Sequence, residues 1–150
     1  MNTLTSILDS EADARSIAWG AFLLRLSLGT MWISHALLKI FVFTLPGAAK
    51  FFDSVGLPGF LVYPVFAAEI IGGTAIALGY RARAVSLLLL PILAVAAWVH
   101  WPNGWVFTAS GGGWEYPVFL AAASLALALV GDGAFALSKA SWRAPMRASI

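Results

Sequence analysis

Residues able to do acid–base or hydrogen-bonding chemistry are scarce in this sequence, and most lie inside apolar runs. His35 and Lys39 sit four residues apart in WISHALLKIF (32–41), Glu69 in AAEIIGGTAIALG (67–79), His100 in WVHWP (98–102) and Glu115 in GGGWEYP (111–117). At roughly 100° per residue, Arg25, Trp32, His35 and Lys39 fall within roughly 80° of one another on one helical face. A carboxylate among apolar side chains is costly unless protonated or paired, so Glu69 is expected to seek Lys39, Arg25 or a histidine. Such a set could hydrogen-bond a ligand carbonyl through Lys39 or His35, favouring charge that develops on its oxygen, while Glu69 and His100 move protons. Arg25, Trp32, Trp101, Glu115 and Tyr116 are then the candidates for binding a cofactor or ligand. Each has a structural alternative. Arg25 and Lys39 can snorkel to opposite interfaces, Glu69 can form a pair that only fixes helix register, Glu115 can stabilise a helix N-terminus, and the tryptophans can form an interfacial belt.

The elements that position these residues follow from composition. The chain has 150 residues, 61% hydrophobic and 11% charged, with a mean hydropathy of +0.87, which leaves too little polar surface for a water-soluble domain. Long apolar runs with short joints, without period-two alternation, indicate helices rather than an outer-membrane barrel. The expected architecture is an all-α integral membrane protein with four transmembrane helices in an antiparallel bundle. The spans run at about 17–45, 58–79, 82–101 and 114–130, giving a membrane domain over 17–133. A polar tail (1–16) precedes it and a basic tail (134–150) follows. The joint PGAAKFFDSVGLPG (46–59) can place Phe51, Phe52 and Val55 on one face and Lys50 and Asp53 on the other, which suggests a short interfacial helix; an amphipathic loop is the alternative. Glu69, Gly73 and Ala77 form a stripe that admits another helix closely. The turn Gly79–Arg83 is tight, and Pro91 is expected to bend the third span.

Charge sets the expected orientation and narrows the function classes. Arg81 and Arg83 follow span two, Lys139, Arg143 and Arg147 follow span four, and no Lys or Arg lies between spans three and four. A multi-pass protein with both termini cytoplasmic results, with Lys50 as a mild exception. A net charge of +2, without a basic stripe, disfavours nucleic acid. The absence of cysteine removes thiol chemistry and iron–sulfur ligation. The two histidines and two carboxylates lack ligand spacing within a helix, which disfavours a metal or haem. No P-loop, dinucleotide fingerprint or serine elbow occurs.

The ordered set L-R-L-x-L-G, S-H-A-L-L-K, F-D-S-V-G-L-P, A-E-I-I-G-G, Y-R-A-R-A, a histidine closing span three, and G-G-W-E-Y-P before a last span ending G-D-G resembles the DoxX family from about Phe22 to Gly133. The resemblance implies a four-helix protein of prokaryotic cytoplasmic (inner) membranes, in a family named for a subunit of a thiosulfate:quinone oxidoreductase. Some relatives act in membrane complexes linked to thiol and superoxide defence. His35, Lys39, Glu69, Arg81 and Glu115-Tyr116-Pro117 match the family pattern. Ala36 replaces a usual glycine, and Ala-Leu-Ser-Lys stands where the family ends in Ser-Leu-Asp. The leading expectation is a membrane subunit of a quinone-linked oxidoreductase system with an outer-half pocket for a quinone or small reductant, working with a protein partner or as a homo-oligomer. The alternatives are a non-catalytic anchor or assembly partner, and a small-solute pathway.

Overall fold

The computed structural model describes residues 11–140, with side-chain environments for 15–138. Residues 1–10 of the expected N-terminal tail, and 141–150 of the basic tail with Arg143 and Arg147, lie outside the described residues. In order come α1 (Glu11–Phe41), α2 (Leu45–Ser54), a 3-10 turn (Gly59–Leu61), α3 (Val62–Leu78), α4 (Ala82–His100), a second 3-10 turn (Trp101–Asn103), α5 (Glu115–Val130) and α6 (Leu137–Ala140). The described residues are all-helical. Stretches 15–41, 59–78 and 82–103 are long and apolar enough to cross a membrane. The 16-residue α5 is equally apolar and shorter, about 24 Å at ~1.5 Å per residue.

Element ends follow local chemistry. The helix is already formed at Glu11, so residues 11–16, expected in the polar tail, belong to the first helix, whose apolar stretch begins at residue 15. It stops at Phe41 rather than Leu45. Thr44 takes a positive φ of 59° and its hydroxyl accepts a hydrogen bond from the Gly47 N–H, restarting the chain as α2 with Pro46 in its first turn. The joint is thus a helix rather than a loop, with Ala48 buried and Phe51 exposed. At the end of α3, Gly79 adopts the left-handed conformation, its N–H reaching Ile76 O and the Tyr80 N–H reaching Ala75 O. These are the two bonds of a Schellman motif. They turn α3 into α4 within three residues. α4 stays helical through Pro91, whose surface faces outward.

α1 lies along α3, α4 along α5, and contacts of α3 with α4 and α1 with α5 close the group. The expected small-residue stripe on α3 is where α1 docks. A Cβ on Gly73 would stand 2.7 Å from Trp32 Cβ and 3.0 Å from the Gly29 carbonyl oxygen, while one on Gly29 would stand 2.7 Å from Ala77 and from Gly73 O. The two backbones touch there, as glycine alone permits. On the neighbouring face Gly72 receives Leu89 of α4. Leu28, Trp32, Ile76, Leu89, Leu93, Leu120 and Leu127 form the central core. Ile71, Leu88, Phe119 and Leu129 point outward at 67–80% exposure. An apolar exterior of this kind suits lipid rather than water.

The expected C-terminal tail begins inside the folded unit. Residues 131–138 turn back across α1 and the α3–α4 turn: Ala134 N–H donates to Ala18 O at 2.9 Å and Ser138 N–H to Gly79 O at 3.1 Å. Gly133 lies so close to Ala18 and Ala21 that a Cβ would overlap them.

Candidate functional site

α1 and α3 run in opposite directions, and the Gly29–Gly73 contact sets their register. Trp32 meets Gly73, so Glu69, one turn along α3, lies level with the next turns of α1, where His35 and Lys39 project. Lys39 Nζ lies 2.8 Å and 2.7 Å from the two Glu69 carboxylate oxygens and 3.4 Å from the His35 carbonyl oxygen. The Glu69 side chain is 5% exposed and that of Lys39 15%. All three ammonium hydrogens thus have an acceptor within the protein. This is the pairing expected of Glu69, with Lys39 as the cation.

His35 and Tyr116 form the next layer. The His35 Nδ1–H donates to Met31 O one turn back, at 2.9 Å. The ring stacks on Tyr116 of α5, centroids 5.6 Å apart and planes 20° from parallel. Tyr116 also packs against the core cluster that contains Trp32. The Tyr116 hydroxyl and Trp32 Nε1 are buried and find no hydrogen-bond partner among the described residues. Trp32 itself is 4% exposed. Three helices therefore contribute to one layer, His35 and Lys39 from α1, Glu69 from α3 and Tyr116 from α5, with Trp32 one helical turn along α1 against Gly73.

The remaining candidates do not join this layer by any hydrogen bond or ion pair among the described residues. His100 donates from Nδ1 to Ala96 O at 2.8 Å, with its ring beside Gly112 of the following loop. Glu115 accepts the Phe107 N–H at 3.2 Å, while its own N–H donates to Trp105 O. It closes the loop at the start of α5. Trp101 stacks on Trp114 with centroids 4.6 Å apart, and Trp105 meets Trp114 edge-on. Asn103 holds this loop by donating to the Gly111 and Gly112 carbonyls.

Arg25 lies at the far end of α1. It shares the helical face of Trp32 and Lys39, yet its guanidinium is 1% exposed and donates to Asp132 O at 2.8 Å and Ala134 O at 3.2 Å. It also lies over the Phe22 ring, 5.3 Å from the centroid. It neither snorkels nor reaches Glu69. Around it stand residues that sequence reasoning passed over. Asp132 accepts the Arg83 N–H, and its other oxygen lies 2.6 Å from the Ser138 hydroxyl, which also reaches Gly79 O. The signal available for them was an aspartate between two glycines at the end of a span. Such an aspartate has backbone freedom on both sides and a short side chain suited to local N–H groups.

No group of three or more His, Asp or Glu among the described residues has metal-holding geometry. No solved structure gives a significant match. A protein of Bacillus subtilis (strain 168) named "Putative oxidoreductase CatD" is 32% identical over 124 residues, covering 82% of this chain and 87% of that protein. Residues 20–101 match the family described as DoxX. That stretch carries Lys39, Glu69 and both contacting glycines, and with the relative's coverage it identifies the chain as a member of the DoxX family.

Proposed function

We propose that this chain is a membrane subunit of a quinone-linked oxidoreductase system, in which the layer around Lys39, His35 and Tyr116 receives a quinone. The observation that carries the reading is the buried Lys39–Glu69 pair, stacked beside the His35 and Tyr116 rings in a membrane domain with few other ionisable groups. Intramembrane ionisable groups are rare and face the interior, where they serve function more often than stability. The "oxidoreductase" in the relative's name supports the reaction class. A quinone, when bound, accepts two electrons and two protons; the electrons come from a reductant oxidised by a separate subunit. The side chains present suit it: flat aromatic rings with O–H and N–H donors.

The accompanying topology is a four-span bundle in the prokaryotic inner membrane with both termini cytoplasmic. α5 supports this although it is short. Its first turn lies beside His35 and the segment after its end lies beside Arg25, so it accompanies α1 over the stretch between these two residues. Arg81 and Arg83 then share one side with the segment after α5, while residues 101–114 contain no Lys or Arg. His35, Lys39 and Tyr116 fall in the outer half.

The test is a titration of detergent-purified protein with a short-tail quinone, followed by tryptophan fluorescence. Saturable binding to the wild type, weakened in Glu69→Gln and Lys39→Met, is expected. Absence of saturable binding to a folded wild type would end this reading. A non-catalytic anchor is the second reading, favoured by the ordered Trp101–Trp105–Trp114 cluster in the outer loop. Under it the same substitutions lower stability and leave the activity of an assembled complex unchanged per folded molecule.

A further inference from the structure

We infer that the ligand in this layer is recognised by the Tyr116 hydroxyl and Trp32 Nε1–H as a neutral carbonyl oxygen, and that Lys39 positions the helices instead of contacting the ligand. This rests on the quinone reading and narrows it, because it excludes a small anionic reductant from the same site. The argument is one of donor accounting. An ammonium has three hydrogens, and those of Lys39 face Glu69 Oε1, Glu69 Oε2 and His35 O. Reaching a ligand would require breaking a buried, charge-assisted pair, and the carboxylate would then lack its cation. Lys39 is therefore a positioning residue.

The donors still available in this layer are neutral. The hydroxyl of Tyr116 and the indole N–H of Trp32 are buried without partners among the described residues. An indole N–H can only donate, and a phenol O–H donates readily. Buried donors of this type are satisfied in most proteins; Arg25 Nε and Ser124 Oγ also lack a partner among the described residues, but neither lies beside the stacked His35 and Tyr116 rings. Two donors call for an acceptor, and because Lys39 and Glu69 cancel, no net positive charge calls for an anion. The stacked His35 and Tyr116 rings supply flat faces for a ring-bearing ketone or quinone. Tyr116 lies in the first turn of α5, near one end of the bundle, so the ligand need not cross the core.

Three probes and two variants test this on the full chain in detergent: decylubiquinone, the non-reducible flat ketone fluorenone, and sulfite as a small anion. Both carbonyl probes should bind the wild type, and sulfite should not. Tyr116→Phe should weaken carbonyl binding by about tenfold, the equivalent of one hydrogen bond, and Trp32→Phe should do likewise. Tyr116→Phe should also hold or raise the thermal midpoint without ligand, because it removes a buried hydroxyl with no partner. A purely structural tyrosine would lower it. For a variant that fails to fold, the infrared carbonyl stretch of wild-type-bound fluorenone decides, since two donors must move it below its value in detergent alone. If decylubiquinone binds equally to wild type and both variants, this inference fails and the quinone reading stands. If fluorenone binds through Tyr116 and decylubiquinone does not bind, the quinone reading fails and the inference that rests on it falls with it. Tight sulfite binding, an unshifted carbonyl stretch, or no binding of either carbonyl probe overturns the inference.

Discussion

Two cations on one face of α1, Arg25 buried and Lys39 partly so, meet opposite solutions. Lys39 faces a carboxylate on α3, in a layer that leaves the Trp32 and Tyr116 donors without partners. Arg25, toward the other end, faces backbone carbonyls from the segment after α5, in a knot where Asp132, Ser138, Gly79 and the Arg83 N–H satisfy one another. The Arg25 end uses its polar groups to tie three parts of the chain together. The Lys39 end ties two helices and still has donors to offer. Polar density alone would not tell a fastener from a ligand site: Arg25 Nε, like Trp32 Nε1, is buried without a partner among the described residues, so the distinction lies in what each cation faces, a carboxylate on a second helix or the carbonyls of a returning segment.

The largest expected effect comes from breaking the Lys39 end on one side only. Lys39→Met leaves the Glu69 carboxylate buried without its cation and should cost about 3–5 kcal/mol, read by reversible unfolding in mixed detergent. Adding Glu69→Gln removes the orphaned charge, so the double variant should be more stable than Lys39→Met. A double variant no better than the single would show that the pair does not couple. At the other end, Arg25→Met removes two charge-assisted bonds to carbonyls and should cost about 2–3 kcal/mol, with quinone affinity unchanged. A loss of affinity in folded Arg25→Met would erase the contrast between the two ends.

A smaller effect probes the close helix contact between them. In Gly73→Ala the new methyl would lie 2.7 Å from Trp32 Cβ, pushing α1 from α3 at a cost of about 1–3 kcal/mol. Because Trp32 is displaced, ligand affinity should fall along with stability; unchanged affinity would place Trp32 outside the site. The smallest is Ser138→Ala, which loosens one link of the Arg25 knot. About 1 kcal/mol is expected, with faster amide exchange at Arg81, whose N–H donates to that hydroxyl. Unchanged exchange there would show the link to be incidental.

These contrasts separate what the sequence makes visible from what it hides. Glu69 had to find a cation, and few were in reach, so its pairing with Lys39 could be reasoned from burial cost alone. The stripe Glu69–Gly73–Ala77 likewise announced a close helix contact. Arg25 was harder. Face arithmetic puts it beside Lys39, but fourteen residues of helix separate them by about 21 Å, and its acceptors are carbonyls, which every residue carries and none advertises. His100 and Glu115 were expected near the outer end by depth, yet depth does not say what a side chain touches; both bond within the loop and their own helices. The premature end of α1 depended on Thr44 accepting a positive φ, a conformation that its residue type does not suggest.

The acceptors of Arg25 lie 107 and 109 residues downstream of it. During synthesis, the helix bearing this arginine is made long before those carbonyls exist. Arg25 therefore reaches its hydrogen-bonded state only after α5 and the segment that follows it have been made, so this contact joins the first long helix to the last part of the folded unit.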